Sequence, residues 1–371
     1  MQKQLSLIFW PALAGLFGAL LLLDRWVLPE EENRWSERNE RVSYARAVRD
    51  ATPAVVNIYT AKLVTDTDVN GLDDSFFRRP SPPRSQQPRL ERSLGSGVIM
   101  TEEGHILTNN HVITGADAIQ VMLHDGRSAK ALVIGTDSAT DLAVLQIQLP
   151  GLTPIKLANS DQAQVGDVVL AIGNPLGFGH SVTQGIVSAL GRYGLQLSTY
   201  ENYIQTDASI HLGNSGGALI DTRGRLLGIN TLIYTANSQP QNARTGIGIS
   251  LAIPANLALF VMEDLISYGE VIRGWLGVSV EPIGRVLPSG ESSQALEVVA
   301  VAPDSPAQKA GVQVDDIITH INGERVLDGR LTMHQIARLR PGDAIKISVL
   351  RKNETRDLRA IVGALNQSIN P

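Results

Sequence analysis

Short apolar runs separated by Gly, Asp and Asn residues fill the middle of this chain, and this pattern most narrows its fold. From Leu94 onward, turn-forming residues punctuate the runs, as is typical of all-β barrels. Ile119–Leu123 and Ala131–Ile134 flank Asp125-Gly126, a residue pair favoured in β-hairpin turns. The pattern continues through Val168–Ile172, Gly185–Ala189, the turn signal Asp221–Gly224 and Leu226–Ile233. The sequence therefore predicts a mainly β fold.

Three segments depart from this β pattern. Tyr44–Thr52 predicts a short helix that ends at Pro53, just before the first barrel. Pro254–Tyr268 has apolar residues at helical spacing and is followed by Gly269, a typical C-cap residue, so we expect this helix to close the first domain. Lys62 to Arg92 contains four prolines between positions 80 and 88, which argues against a strand and indicates a long loop.

Gly213-Asn214-Ser215-Gly216-Gly217 predicts a serine nucleophile in a tight turn. Glycine adopts the positive φ angles that such a turn needs. A seryl hydroxyl needs an adjacent base, and the oxyanion that it creates needs converging backbone N–H groups. We expect the N–H groups of Gly213 and Ser215 to form this oxyanion hole. Because a glycine-rich loop with a serine is more often an ordinary turn, the interpretation requires a base and an acid elsewhere.

His111 and Asp141 supply that base and acid. They lie in Thr108–Ile113 and Thr140–Leu145, each beside a strand-like run. Asp141 follows His111 by 30 residues and Ser215 follows Asp141 by 74, which suits two consecutive β-barrels with the site between them. The His–Asp–Ser order is that of chymotrypsin-like proteases, in which these residues act as base, orienting acid and acyl-forming nucleophile. A lipase or esterase conflicts with this order.

Other residues near the site are alternative acids or determine which substrates are cleaved. Asp137 and Asp207 are alternative acids, and we expect both to be structural hydrogen-bonding residues. In trypsin an aspartate six positions before the nucleophile selects basic side chains; the corresponding residue here is Ser209, so cleavage after Lys or Arg is not expected. The strand Ile229–Ile233 should pair with the substrate backbone, and its apolar neighbours favour a small aliphatic P1 residue.

The carboxyl-terminal part of the chain carries a second set of motifs, beginning with Arg273–Val278. The others are Ser305–Ala307, Ala310–Val312, Asp316–Ile318 and Ile321–Gly323. Together they resemble an α+β PDZ domain, which we place at residues 271–364. Such a domain takes up an extended peptide as an added strand and binds its carboxylate through backbone N–H groups, here those of Gly274-Trp275-Leu276-Gly277. Asp315 stands where these domains usually have Gly, and Asp tolerates the left-handed conformation better than most residues.

The amino terminus contains Leu5–Leu23, nineteen residues without a charge and just enough to span a bilayer. A cleaved signal peptide is the alternative, but no small-residue cleavage site follows Leu23, and Trp26 suits an interfacial anchor. Lys3 precedes the run, which favours an amino terminus on the inside. We therefore expect an N-terminal transmembrane helix within an anchor at residues 1–26, then a tether and short helix (27–50), the protease domain (51–270), the PDZ domain and a tail (365–371).

Composition excludes other kinds of chemistry. The chain has no cysteine, which rules out disulfides, thiolate catalysis and Cys-based zinc sites. Its formal net charge of −5 and the lack of a basic stripe argue against nucleic-acid binding. The sequence predicts neither a metal nor a cofactor.

The motifs Thr108–Ile113, Thr140–Leu145, Gln205–Ile210 and Gly213–Gly217 resemble those of the HtrA (Deg) family of serine proteases. The resemblance extends from about residue 42 to about residue 364 and is strongest to the membrane-anchored branch with a single PDZ domain. It implies a homotrimeric serine endoprotease, anchored in the bacterial inner membrane and facing the periplasm. His211-Leu212 replaces the Asn-Pro of many members, and we expect this to alter the rim of the S1 pocket.

The resemblance also implies how activity is controlled. Arg192 stands where this branch has an arginine that relays PDZ occupancy to the oxyanion loop; the alternative is a surface arginine in the turn Gly191–Gly194. The implied ligands are peptide C-termini of misfolded outer-membrane proteins. The implied substrate is a membrane-spanning anti-sigma factor, whose first cut starts an envelope-stress response. Alternatives are a periplasmic quality-control protease and a PDZ binding protein or chaperone with vestigial catalysis.

Overall fold

The computed structural model describes nine stretches of the chain: residues 15–19, 43–64, 89–174, 179–195, 197–211, 213–233, 249–286, 292–326 and 328–365. They fall into two compact units, one ending at Tyr44 and the other beginning at Ala45. In the first unit, residues 15–19 are helical. Most of the expected transmembrane run Leu5–Leu23 lies outside the described residues. Within the nine stretches, every helix is too short or too polar to cross a membrane.

The second unit opens with the short helix α1 (Ala45–Ala51), which confirms the helix expected before Pro53, and continues into a seven-stranded antiparallel sheet. The strands are β1 (Val55–Val64), β2 (Arg89–Ile99), β3 (His105–Asn109), β4 (Ala118–Met122), β5 (Ser128–Lys130), β6 (Leu132–Asp137) and β7 (Leu142–Gln146), with helix α2 (Asn110–Ile113) after β3. Their order is β5-β4-β1-β2-β3-β7-β6. The Ala131 N–H donates to the Ile119 carbonyl over 3.0 Å, which brings the two ends of the sheet together as a barrel.

Two expectations about this barrel are corrected. The predicted loop from Lys62 to Arg92 is strand at both ends, because β1 and β2 pair until Val64 meets Arg89. All four prolines precede residue 89, so the backbone N–H groups on either side remain able to join the ladder. Residues 65–88 lie outside the described residues. In addition, the hairpin partner of β4 is β5, which begins before the predicted residues 131–134, because the tight turn at Asp125-Gly126 places Ser128 opposite Met122.

A second seven-stranded barrel follows, as the spacing of the motifs predicts. Its strands are β8 (Lys156–Leu157), β9 (Val168–Gly173), β10 (Ser181–Arg192), β11 (Tyr203–Thr206), β12 (Ala218–Asp221), β13 (Arg225–Ile233) and β14 (Ser250–Pro254). They run in the order β12-β9-β10-β11-β14-β13-β8, and β12 also pairs with β13, which closes the ring. That last pairing confirms the hairpin predicted at Asp221–Gly224. The barrel is filled by buried aliphatic side chains such as Val169, Val187 and Leu219.

Helix α3 (Ala255–Tyr268) lies where the helical spacing predicts it, and Gly269 caps it at a left-handed φ of 76°. The helix lies against β6 at Gly135, where a Cβ would approach the Leu265 side chain to 2.9 Å. Asp264, on the same helix, is buried and accepts a hydrogen bond from the Ile272 N–H over 3.0 Å. The helix therefore fixes the start of the segment that leads into the last domain.

The last domain has the expected α+β composition. Its elements are β15 (Gly274–Trp275), β16 (Val278–Val286), β17 (Ser292–Val301), α4 (Pro306–Lys309), β18 (Ile317–Ile321), β19 (Glu324–Arg325), α5 (Gly329–Ala337), β20 (Ala344–Arg351), β21 (Glu354–Ile361) and β22 (Gly363–Ala364). The main sheet runs β16-β17-β18-β20-β21, so β16 is an edge strand. Leu276, Leu296 and Val349 lie in its buried core. Asp315 has φ 70°, the left-handed conformation expected from its substitution for Gly.

Candidate active site

His111 and Asp141 meet where the first barrel brings the end of β3 beside the start of β7. The His111 Nδ1 lies 2.7 Å from Asp141 Oδ2, and the His111 N–H donates to Asp141 Oδ1 over 2.9 Å. Asp141 itself has φ 58°, a conformation that Asp adopts more readily than most residues. The hydroxyl of Thr231, on β13 of the second barrel, donates to Asp141 Oδ2 over 3.2 Å. A carboxylate held in this way fixes the imidazole tautomer with the proton on Nδ1.

Ser215 lies in a turn that both barrels hold. The Ser96 N–H, on β2, donates to the Ser215 carbonyl over 2.9 Å, while the Gly216 N–H donates to the Asn230 carbonyl over 2.8 Å. Gly216 has φ 82°, and a Cβ there would lie 2.1 Å from the Ser96 carbonyl oxygen. Glycine is therefore required beside the serine. The Ser215 hydroxyl donates to the Thr231 carbonyl over 2.6 Å.

The predicted oxyanion turn precedes Ser215 directly. The Asn214 N–H donates to the His211 carbonyl over 2.9 Å, and Gly213 has φ 94°. Glycine adopts this positive φ more readily than any other residue. The Ser96 hydroxyl donates to the Gly213 carbonyl over 2.7 Å, and this bond holds the carbonyl against the first barrel. Leu212 lies outside the described residues.

Arg192 lies at the end of β10 and is exposed. The strand continues through Gly191 and Arg192, so the expected turn is confined to the residues that follow. The Arg192 Nε donates to the Gln205 side-chain oxygen over 2.8 Å. Gln205 belongs to β11, the strand that precedes the Ser215 turn in the chain.

The predicted carboxylate-binding residues Gly274, Trp275, Leu276 and Gly277 span β15 and the turn into β16. Gly277 has φ 77°, and a Cβ there would lie 2.4 Å from the Ser305 Cβ. A Cβ on Gly274 would lie 2.3 Å from the Ile336 carbonyl oxygen on α5. The two glycines thus let this loop pack directly between α4 and α5. Leu276 points into the domain core, with 3% of its surface exposed.

Sequence patterns did not reveal the contacts between the two domains. Arg273 forms a buried ion pair with Asp137, with 2.5 Å between the charged atoms, and Asp137 also accepts the Thr140 hydroxyl bond. Asp137 is therefore a structural hydrogen-bonding residue, as expected. So is Asp207, whose carboxylate accepts the Ile186 N–H over 2.7 Å.

An aromatic and histidine contact accompanies this ion pair. The Arg273 guanidinium lies 4.5 Å from the centroid of the Tyr200 ring. His334, on α5, meets that ring edge-on with centroids 5.6 Å apart, and burial lowers the pKa of this imidazole. Because Tyr200 precedes β11 and His334 belongs to the PDZ domain, only the folded structure places them together.

Two protein families match the chain at the places where these folds lie. The trypsin-like peptidase domain family matches residues 95–229, and the PDZ domain family matches residues 274–362. Serine endoprotease DegS of Escherichia coli K12 is 41% identical over 360 residues, which cover 95% of this chain and 96% of DegS. A probable periplasmic serine endoprotease, DegP-like, of Pseudomonas savastanoi is also 41% identical over 95% of this chain, but the match covers 75% of that protein.

Solved structures of serine proteases are also similar to this chain. The HtrA-type protease AlgW with a decapeptide is 47% identical, with a TM-score of 0.68, over 88% of this chain and 99% of that one. The serine endoprotease from Yersinia pestis is 42% identical, with a TM-score of 0.60, over 88% and 99%. With 41% identity to DegS over 96% of its length, and with one trypsin-like peptidase domain and one PDZ domain, this chain is a serine endopeptidase of the HtrA family.

Proposed function

We propose that Ser215, His111 and Asp141 cleave peptide bonds through an acyl-enzyme. The observation that carries this proposal is the 2.7 Å contact between His111 Nδ1 and Asp141, beside a serine turn whose preceding Gly213 has φ 94°. His111 takes the Ser215 proton as Oγ attacks the substrate carbonyl, then gives it to the leaving amine as the bond to carbon breaks. Water repeats the sequence on the ester, releases the acid and restores Ser215.

The contact between Ser215 and Thr231 belongs to the same scheme. One O–H proton makes one short hydrogen bond at a time, so Ser215 must leave the Thr231 carbonyl to pass its proton to His111. The N–H groups of Gly213 and Ser215 then stabilise the oxyanion. Because Ser209 supplies no negative charge at the base of the S1 pocket, substrates with a small aliphatic P1 residue are favoured over those with Lys or Arg.

The PDZ domain regulates this activity by binding peptides that end in a free carboxylate. Gly274 to Gly277 supply the backbone N–H groups, and the unpaired edge of β16 accepts the peptide strand. The solved complex of AlgW with a decapeptide supports peptide binding by this domain. Arg192 transmits the effect, since its side chain binds Gln205 on the strand that leads to Ser215.

A decapeptide with a hydrophobic last residue and a free carboxylate is expected to raise peptidase activity by about 5–150-fold, the usual range of allosteric coupling. The same peptide with an amidated terminus is the control and should have no effect, because the Gly274–Gly277 N–H groups lose their anion. Arg192→Ala should bind the peptide with little loss of affinity and respond weakly. Activation of Arg192→Ala to the wild-type level would show that the relay assignment is wrong.

The cellular role follows from the family branch. We place the chain in the inner membrane as a homotrimer with both domains in the periplasm, where relatives such as the DegP-like protease are named as periplasmic. Its activators are C-termini of misfolded outer-membrane proteins, and its substrate is an anti-sigma factor that it cuts first to start envelope-stress signalling.

The second candidate function is a quality-control protease or chaperone for misfolded proteins. It is favoured if denatured substrates are cut equally well without a PDZ ligand.

The uncharged run Leu5–Leu23 predicts that the mature protein keeps its amino terminus in the membrane. Deleting residues 1–26 should move the protein from the membrane fraction to the soluble fraction with its peptidase activity retained. Amino-terminal sequencing of the native protein should find the run intact. A mature chain that begins near residue 24 and washes off membranes would show a cleaved signal peptide instead.

A further inference from the structure

The loop between β10 and β11 contacts the PDZ domain at both of its ends. We call residues 193–195 and 197–200 the docking loop. At its start, the Tyr193 hydroxyl donates to Asp328 Oδ2 over 2.7 Å, and the Arg330 guanidinium lies 6.0 Å from the Tyr193 ring centroid. At its end, Tyr200 packs against Arg273 and His334, as described above. The docking loop is thus one part of the second barrel that contacts α5.

Glu201 gives the docking loop a fixed shape. This carboxylate is buried, with 5% of the residue exposed, and accepts the Leu195 N–H over 2.7 Å, the Leu197 N–H over 2.6 Å and the Ser198 N–H over 3.4 Å. Hydrogen bonds from backbone N–H groups to an ionised carboxylate are about twice as strong as neutral ones. Three of them on one side chain hold the middle of the docking loop against the residue that follows its carboxyl-terminal end.

Asp328 connects Tyr193 to the helix beside the peptide-binding edge. It is the N-cap of α5, and its Oδ1 accepts the Arg330 N–H over 2.7 Å and the Leu331 N–H over 3.1 Å. The next residue, Gly329, lies close to Val280 of β16, 3.6 Å from where its Cβ would stand. A peptide strand added to β16 would therefore lie beside the start of α5, whose N-cap Asp328 accepts the Tyr193 hydroxyl bond.

The docking loop also leads to the catalytic side of the protease domain. Tyr193 directly follows Arg192, whose side chain binds Gln205. At the other end, the Tyr200 N–H donates to the Ala139 carbonyl over 2.8 Å, two residues before Asp141. The docking loop is therefore joined both to the strand before Ser215, through the neighbouring Arg192, and to the segment before Asp141.

We propose that Tyr193 is the positioning residue that couples α5 to the protease domain, and that Glu201 holds it in place. This rests on the peptide regulation proposed above and names the residue through which that regulation acts. The bond from Tyr193 ends on a carboxylate that also caps the start of α5, so its loss removes a direct polar contact between the docking loop and the helix.

The test uses linkage: if the peptide and an occupied Ser215 favour the same state of the protein, blocking Ser215 must tighten peptide binding. The probe is a fluorescent decapeptide ending in Phe with a free carboxylate, and its Kd is measured by anisotropy before and after Ser215 reacts with a fluorophosphonate. The wild-type factor is expected to be about 5–150. In Tyr193→Phe, the factor by which blocking Ser215 changes the peptide Kd should fall to within about twofold of 1. The Kd of the unblocked Tyr193→Phe protein should differ from that of the unblocked wild-type protein by less than about threefold.

Matched variants separate the possible outcomes. Tyr59→Phe, on β1, is the control and should keep the wild-type coupling factor. Asp328→Ser keeps a good N-cap, but the serine side chain is too short to accept the Tyr193 hydroxyl bond. Because both substitutions remove the same bond, the double variant with Tyr193→Phe should lose no more coupling than either single variant. A wild-type factor of 1 would refute the proposed peptide regulation itself. A normal wild-type factor that Tyr193→Phe fully retains would overturn the role of Tyr193 alone.

Discussion

Ser215→Ala is expected to lower kcat by about 10⁶-fold, as removal of a triad serine does elsewhere, while the protein stays folded. Its hydroxyl binds the Thr231 carbonyl, whereas the turn is held by main-chain bonds to Ser96 and Asn230 that alanine keeps. The measurement is cleavage of an unfolded protein substrate by the full chain, with circular dichroism to check the fold.

Two further variants make this result specific. Ser188→Ala, on β10, is the matched control and should cleave at nearly the wild-type rate. His111→Ala combined with Ser215→Ala should cost little beyond Ser215→Ala alone, because the three residues act as a unit. Cleavage by Ser215→Ala at the wild-type rate would contradict the mechanism.

Asp141→Asn is expected to lower kcat by about 10⁴-fold. Asparagine tolerates the φ of 58° found at this position, so the backbone should be preserved. The amide can still accept the His111 N–H, but its NH₂ group would face His111 Nδ1 in place of a carboxylate oxygen. The imidazole would then carry its proton on Nε2 and could no longer accept the proton of Ser215.

The matched comparison is Asp207→Asn. Asp207 accepts the Ile186 N–H over 2.7 Å, a bond that an amide oxygen can also accept, so kcat should fall less than about tenfold. Steady-state kinetics across pH would measure both variants. Equal losses in the two, or a larger loss in Asp207→Asn, would show that the acid has been assigned to the wrong residue.

Local sequence signals predicted the elements that depend on neighbouring residues. The turn at Asp221–Gly224, the C-cap at Gly269 and the left-handed Asp315 all follow from the conformations that Asp and Gly adopt. The succession of two β-barrels was also predicted from sequence, because the His–Asp–Ser order is shared by proteases with this architecture. The strand ends at Val64 and Arg89 were missed because the prolines between them obscured a pairing that needs only the flanking residues.

Contacts between residues distant in sequence left no local signal. Arg273 and Asp137 are 136 residues apart, and neither belongs to a pattern that names its partner. Tyr193 was visible only as an aromatic residue between two glycines, next to the arginine that the family resemblance singled out. Its partner Asp328 is recognisable as a helix cap, but a cap does not indicate what else its carboxylate binds. The domain interface could therefore be described only from the structure.

The most direct test of the proposed mechanism is the site and rate of acylation by a fluorophosphonate. Intact-protein mass spectrometry should find one adduct per chain, and peptide mapping should place it on Ser215. His111→Ala should slow the reaction by several orders of magnitude, whereas the carboxylate-ending decapeptide should accelerate it in the wild-type protein. An adduct on another residue, or one that forms equally fast in His111→Ala, would contradict the assignment of Ser215 as the activated nucleophile.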